Sequence, residues 1–350
     1  MVYISVRGRI WLEAEAMNMV ESVGNYVKHR KVPIIVKKED RYVTFFVPAI
    51  SGESIAHGYQ QVLAQQLLRD GDKVCPLCSK GIFLKSTNSE VYEYSTGKTP
   101  PQKSKEESKE QTIKKAQEIE ETIIQSCGVE DIGGFLYAEE VNVKRTSSFY
   151  TGYMIPVREV VELTTVDPQL HSRYALGTMF VSEEKKDENK VKASGQTIYY
   201  VEVGSSVFTF SFDIDTSTIG KYTFITEKYG EPVPNVDPLK RSKSALRALE
   251  RFLFDFPVGA KRTRFNPSDI RWESIGLAVS DDVFTLPSSF TKDYLSRAIS
   301  KMMEYSKNTK IYAYSEMGCD QQRVVCLPTP ENTIKEAVND AINRLEQQNK

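Results

Sequence analysis

Residues 198–214, IYYVEVGSSVFTFSFDI, decide the fold class. Val201 and Val203, then Phe208, Phe210 and Phe212, recur at every second position, the period of a strand that turns one face to a core. The β-branched and aromatic content agrees with that period, and Gly204 falls between the two alternating halves, so the stretch is expected to fold as a hairpin. Working outward, Val2–Trp11 alternates in the same way through Val2, Ile4 and Val6 and resumes at Ile10 and Leu12, which predicts a strand with a bulge at Gly8. Tyr42–Ala49 is a further strand. Ser51 then caps a helix that carries Glu53 at its positive end and Ile55, Tyr59, Val62, Leu63 and Leu67 at helical spacing. Residues 16–41 lack periodicity and are expected to form a long structured loop of the functional kind.

Downstream, helical spacing predicts Ser242–Phe254, Thr291–Tyr305 and Thr333–Leu345, with strands at Trp272–Val279 and Ile311–Tyr314. This order suits an α+β fold of the ferredoxin-like type with insertions better than a doubly wound α/β sheet. Gly133–Tyr153 reads as a strand pair, and the polar run 182–192 as a tip between strands. Residues 1–69 form the first part of the core, 70–130 a peripheral insertion, and 131–350 the remainder, with a thumb-like insertion at about 160–196. Within the insertion, residues 98–121 hold six lysines and six glutamates, as expected of a solvated loop that leads into an exposed helix.

The 350 residues are 40% hydrophobic and 27% charged, with a mean hydropathy of -0.40, and no run approaches the ~20 apolar residues of a membrane span. The N-terminus reads as a strand containing Arg7 and Arg9 rather than a secretion signal, so a cytoplasmic protein is expected. Lys+Arg number 46 against 47 Asp+Glu, so any polyanion site has to be a local patch. Five cysteines at no framework spacing point to a reducing compartment or incidental thiols. Cys75-Pro-Leu-Cys78 has the spacing of half a zinc knuckle. No second pair follows, Cys127 is the one other cysteine nearby, and no metal or cofactor is assigned.

No dinucleotide, P-loop, zinc-protease or EF-hand pattern is present. Gly52-Glu53-Ser54-Ile55-Ala56 follows a strand and opens a helix, as a nucleophile elbow does, and His171 is the downstream base that a Ser/His hydrolase would need. The long parallel sheet of such enzymes is missing, which favours a plain serine in a first helical turn. His57 lies about 200° around the helix from Ile55, away from the apolar stripe. Two basic clusters stand out. Lys28, His29, Arg30, Lys31, Lys37, Lys38 and Arg41 crowd one loop, and Lys261, Arg262 and Arg264 occupy a Gly/Pro-bounded turn beside Phe265. Guanidinium groups with a stacking aromatic suit a phosphate backbone with splayed bases, against the plainer reading of solubilising surface charge.

Three ordered stretches carry a family resemblance: VRGRIWLEAEAMNMVESVGNYVKHRKVP at 6–33, the FFVPAISGESIAHGYQQVLA that follows, and the turn PVGAKRTRFNP. Together they resemble the backbone subunit of the archaeal type I-A CRISPR Cascade, a guide-RNA-binding protein of the DevR autoregulator family within the RAMP superfamily. The resemblance implies an RRM-like, ferredoxin-like core elaborated with palm, fingers and thumb. Copies would stack head to tail into a helical filament along the guide RNA (crRNA), beside other Cascade subunits, and meet complementary target DNA through the guide. Asn18, Lys28, His29, Arg30 and Lys31 would line the RNA-contacting loop, with Ser51, Gly52, Ser54 and His57 at a helix N-terminus beside it. Lys261, Arg262 and Arg264 would make a second wall, and His171 and Arg173 the thumb. The implied role is non-catalytic. A guide-processing ribonuclease, with His29 as its acid-base group, is a further alternative to the hydrolase.

Overall fold

The structure is a computed structural model and describes residues 1–102, 108–174, 196–259, 270–306, 308–319 and 323–349. It is a mixed α+β fold centred on a nine-stranded sheet. The centre of that sheet is three long antiparallel strands, β1 (Tyr3–Glu15), the strand Gln196–Asp215 and the strand Ile270–Ser280, with β1 in the middle. Even-numbered side chains of β1 (Val2 just before it, then Ile4 and Val6) point to one face together with Phe208, Phe210, Phe212, Ile275, Leu277 and Val279, and all are fully buried. Three helices cover this face: α1 (Gly52–Arg69) through Ile55, Tyr59, Leu63 and Leu67, the helix Pro238–Asp255 through Leu246, Leu249 and Phe252, and the helix Pro330–Gln348 through Ile334, Val338 and Ala341. On the opposite face, Phe284, Leu286, Ala298 and Ile299 pack on Ala278, Ile311 and Ala313. Between the layers, the alternation in β1 buries Arg9, which pairs with Glu273 and with Glu159 at 2.9 Å.

The remaining elements, in chain order, are β2 (Met19–Val23), β3 (Tyr26–His29), β4 (Lys31–Lys38), β5 (Arg41–Pro48), α2 (Ser89–Thr96), α3 (Lys109–Ser126), α4 (Gly128–Gly133), β6 (Phe135–Tyr137), β7 (Val143–Arg145), β8 (Phe149–Thr151) and β9 (Thr165–Tyr174). The strand Gln196–Asp215 is β10, Pro238–Asp255 is α5, Ile270–Ser280 is β11, Tyr294–Tyr305 is α6, Lys310–Ser315 is β12, Val325–Cys326 is β13 and Pro330–Gln348 is α7.

Four expectations change. Residues 198–214 are not a hairpin but part of one 20-residue strand. Its second half pairs with β1 and its first half with β9 and β3, so Gly204 is where the strand passes from one set of neighbours to the other. Residues 16–41 are largely strands: β2 and β3 pair at the sheet edge, while β4 pairs with β5 in a separate hairpin. That hairpin turns Val32, Ile34, Val36, Phe45 and Val47 toward a small cluster with Val161, but Ile35, Tyr42 and Phe46 stand exposed on its other face, so apolar residues lie on both faces and the sequence does not alternate as a half-buried sheet does. There is no bulge at Gly8. The register slips between Arg9 and Ile10 against β11, and the glycine makes room for the Trp272 ring, which a Cβ would meet at 2.5 Å. Finally, α3 is not simply exposed. After a Ser108 capping box it buries Ile119, Ile123 and Ile124 against Tyr92, Phe135 and Tyr222 in a second core.

The cysteines are not scattered thiols. Cys319 and Cys326 are bonded to each other, and Cys75, Cys78 and Cys127 lie together in the main core. The polar run 182–192 lies outside the described residues. No helix is long and apolar enough to cross a membrane among the described residues.

Candidate nucleic-acid interface

The interface is built around Asn18, which follows β1 and is nearly buried. Its Oδ1 accepts from Arg30 Nε at 2.7 Å and from the Ser51 backbone N–H at 3.2 Å, and its Nδ2 donates to Ser54 Oγ at 2.8 Å. Arg30 N–H also donates to the Asn18 carbonyl at 2.7 Å, and Ala49 N–H to the Arg30 carbonyl at 3.0 Å. One amide thus joins three stretches that the sequence places far apart: the end of β1, the β3–β4 junction and the start of α1. Ser51 caps α1 as expected, with extended φ and ψ and its Oγ accepting from Ser54 N–H at 3.3 Å. At Gly52 the chain passes so close to β8 that a Cβ would meet Thr151 Oγ1 at 2.8 Å, and Thr151 Oγ1 donates to the Gly52 carbonyl at 2.8 Å.

The basic residues divide. Lys28 and Lys31 are exposed, and Arg30 is half-buried and reaches Tyr153 Oη at 3.5 Å. His29 is buried: its Nδ1 lies 2.8 Å from the Arg30 carbonyl, and its Nε2 is buried without a hydrogen-bond partner among the described residues. Burial lowers the His29 imidazole below its ordinary value, and the neighbouring Arg30 carbonyl offsets this only in part. A ring held neutral and out of solvent is poorly placed to exchange protons with a substrate. Glu202 of β10 ties the loop down, accepting from the His29 N–H at 2.7 Å and from Tyr26 Oη at 3.0 Å, with Lys31 Nζ 3.7 Å away.

Aromatic rings flank these cations. Tyr26 stacks on Tyr200 (centroids 6.0 Å apart) and His171 on Tyr199 (5.3 Å), because β3 and β9 both pair with the first half of β10. Tyr200 and Tyr153 are exposed. Exposed rings beside lysines and an arginine offer both stacking surfaces and charge. The sequence reading passed over Tyr26, Tyr153, Tyr200 and Glu202. The signal available for two of them was Tyr200 and Glu202 at alternate positions of β10, a lone carboxylate in an otherwise apolar run.

His57 is exposed on α1, 3.1 Å from Gln61 Nε2 and edge-on to Phe83. Arg173 sits opposite Thr197 in the β9–β10 ladder. Lys261, Arg262 and Arg264 lie outside the described residues. No hydrogen bond joins Ser54 to His171 among the described residues. Ser54 Oγ is engaged by Asn18 and Ser51, and His171 by Tyr199. Among the described residues, the group able to hold a metal is elsewhere, at Cys75, Cys78, Cys127 and Glu130.

Several known proteins are similar to this chain. CRISPR-associated protein Cas7/Csa2 1 of Saccharolobus solfataricus is 34% identical over 287 residues, covering 82% of this chain and 81% of the relative. CRISPR-associated aCascade subunit Cas7/Csa2 2 of the same organism is 32% identical over 305 residues, covering 85% and 86%. CRISPR-associated protein Cas7/Cst2/DevR of Methanocaldococcus jannaschii is 24% identical over 296 residues, covering 84% and 86%. A chain of a solved "CRISPR RNA-guided surveillance complex, pre-nicking" superposes with a TM-score of 0.50 at 10% identity over 97% of this chain and 100% of that one, a likeness of fold. The family described as CRISPR-associated negative auto-regulator DevR/Csa2 matches residues 6–298, and the chain belongs to it.

Proposed function

We propose that this chain is a non-catalytic backbone subunit that holds CRISPR guide RNA by its phosphates and sugars, in the cytoplasm, within a Cascade assembly that takes part in antiviral interference. The observation that carries the reading is the Asn18 junction, which fixes Arg30 and the start of α1 in one place beside exposed lysines and stacked tyrosines. Phosphate contacts of this kind position a strand without reading its bases, and complementary target DNA is then recognised by pairing with the guide. Lys28, Arg30 and Lys31 contact the backbone. Asn18, His29 and Ser51, all buried, shape the loop and the helix end that present them. His171 and Arg173 belong to a thumb, and Lys261, Arg262 and Arg264 to a second wall. The central strands with α1 and α5 form an RRM-like core, decorated by finger and thumb insertions. Copies associate head to tail into a helical filament, and the exposed Ile35, Tyr42 and Phe46 of the β4–β5 hairpin supply an apolar face for a neighbouring copy.

The test is the salt dependence of binding to single-stranded RNA. Each lost phosphate contact should flatten the log–log slope by about 0.7. Lys28→Ala with Arg30→Ala should therefore bind poly-pyrimidine and mixed-sequence RNA more weakly by similar factors and with a shallower slope. Binding indistinguishable from wild type across salt concentrations would sink the reading.

A further inference from the structure

Three of the five cysteines meet a carboxylate inside the main core. Cys75 and Cys78 sit in the turn after α1, Cys127 is the residue where α3 ends and α4 begins, and Glu130 lies in the first turn of α4. All four are at most 2% exposed, and their ligand atoms lie within 4.8 Å of one another. The turn has the hydrogen bonding of a chelating loop: Cys78 N–H donates to Cys75 Sγ at 3.4 Å, and Ser79 N–H to the Cys75 carbonyl at 3.0 Å. Gly128 N–H donates to the Lys73 carbonyl at 2.8 Å and clamps the start of α4 to this turn.

Three thiols alone would pass as small apolar side chains filling a core. Glu130 does not fit that account. Its Oε1 lies 3.5 Å from Cys75 Sγ, and its Oε2 is buried with no hydrogen bond among the described residues. A buried carboxylate with one oxygen unpartnered and the other met only by a weak thiol donor is costly, and a disulfide between two of the cysteines would leave it no better satisfied. A dication accounts for all four groups at once. Zinc–sulfur and zinc–oxygen bonds of about 2.3 and 2.1 Å at tetrahedral angles put sulfur and oxygen about 3.6 Å apart, which matches the Cys75–Glu130 separation. Thiolates select zinc over the harder oxygen-seeking cations. Lys85 Nζ, which donates to the Gly133 carbonyl at 2.7 Å, feels the charges of Cys78, Cys127 and Glu130 and offsets part of the excess negative charge.

We propose that Cys75, Cys78, Cys127 and Glu130 bind one zinc ion in a closed, structural site that staples the end of α1 to the α3–α4 junction. Binding releases the thiol protons, and with four protein ligands there is no open position for chemistry. The full chain, purified without added metal, should contain about one zinc per chain by mass spectrometry of its metal content. Replacing the zinc with cobalt should give thiolate-to-cobalt charge-transfer absorption and the intense visible bands of a tetrahedral site. Glu130→Ala should weaken zinc by more than the about 10- to 100-fold typical of losing an outer-shell partner. Glu130→Cys, which restores a fourth ligand, should retain it. Protein without zinc that takes up no cobalt, or peptide mapping that finds two of these cysteines in a disulfide, overturns the site. Wild-type zinc affinity in Glu130→Ala overturns the carboxylate's part in it. None of these readouts involves RNA, so their failure is distinct from failure of the RNA-binding reading.

Discussion

The two ends of α1 are held by opposite chemistry. At its N-terminus the junction is mostly neutral: the Asn18 amide, the Ser51 and Ser54 hydroxyls and backbone N–H groups satisfy one another, the half-buried Arg30 is the one cation that donates into it, and the nearby Lys28 and Lys31 stay exposed. At its C-terminal end, charges are buried. Arg241, 2% exposed, forks onto Asp72 with both bonds at 2.8 Å and reaches Asp131 at 3.0 Å. Asp131 in turn pairs with Arg145 and accepts from Gly220 N–H at 2.8 Å. Burial would raise the Asp72 carboxyl, yet its hydrogen bonds and charge pairing with Arg241 hold it below the usual carboxylate range. The difference separates two tasks. An end proposed to meet a solvated polyanion gains from keeping its cations in water, where they can exchange counterions for phosphates. An end that only has to stay put can lock oppositely charged groups in a dry network.

The largest effect should come from breaking the dry end. Asp131→Ala leaves Arg145 and Arg241 short of a partner while buried, and removing one member of such a network costs about 3–5 kcal/mol. The urea midpoint should fall accordingly. If the two ends are independent, the salt slope of RNA binding in whatever protein remains folded should match wild type. A midpoint unchanged by the substitution would mean that the buried charges carry no net stabilisation.

How much of this contrast the sequence discloses depends on whether the signal is local. Ser51 as a cap, the stripe of α1 and the alternation of β1 and β10 are legible because period and cap chemistry are set by neighbours in the chain. The outcome for 198–214 marks the limit. A glycine amid alternating residues reads the same whether the strand turns back or runs on between new neighbours, and only the pairing of β9 and β3 with its first half decides it. The same limit hid the Asn18 junction as a junction. Asn18, Arg30, Ser51 and Ser54 were each singled out, but their hydrogen bonds span up to 36 residues. Glu202 and Asp131 carry no motif of their own, since each is a carboxylate whose meaning comes from cations or N–H groups 14 to 173 residues away. The Cys75–Cys78 pair is two ligands short in sequence, because only the fold brings Cys127 beside it and Glu130 follows no spacing rule.

A smaller effect should come from the wet end. Asn18→Ala removes three hydrogen bonds and leaves the Ser51 N–H and Arg30 Nε without their acceptor, for about 1–3 kcal/mol of stability. The number of cations on the proposed RNA-binding face does not change. Affinity should therefore fall while the salt slope stays near that of wild type, the reverse of the Lys28 and Arg30 pattern. A slope that flattens in Asn18→Ala would mean that Arg30 leaves the interface altogether and that the junction does more than orient it.

The smallest effect concerns pH and sharpens the comparison from both ends. Burial lowers the folded-state value of His29, so as pH falls the unfolded chain takes up a proton near 6.5 while the folded chain does not. The unfolded state then binds more protons, and stability must decline from about pH 6.5 downward until the lowered folded value is reached. Asp72 is depressed by Arg241, and its contribution, fully present above about pH 3.9, is lost only in stronger acid. His29 at the N-terminal end of α1 should thus register mild acid, and the Asp72–Arg241 pair at the other end should not. Urea midpoints at pH 7 and pH 5 should differ in the wild type and differ less in His29→Gln, whose side chain does not titrate. Equal pH differences in the two proteins would mean that the imidazole gains a proton in the folded state as readily as in the unfolded one, which its 3% exposure and its unpartnered Nε2 argue against.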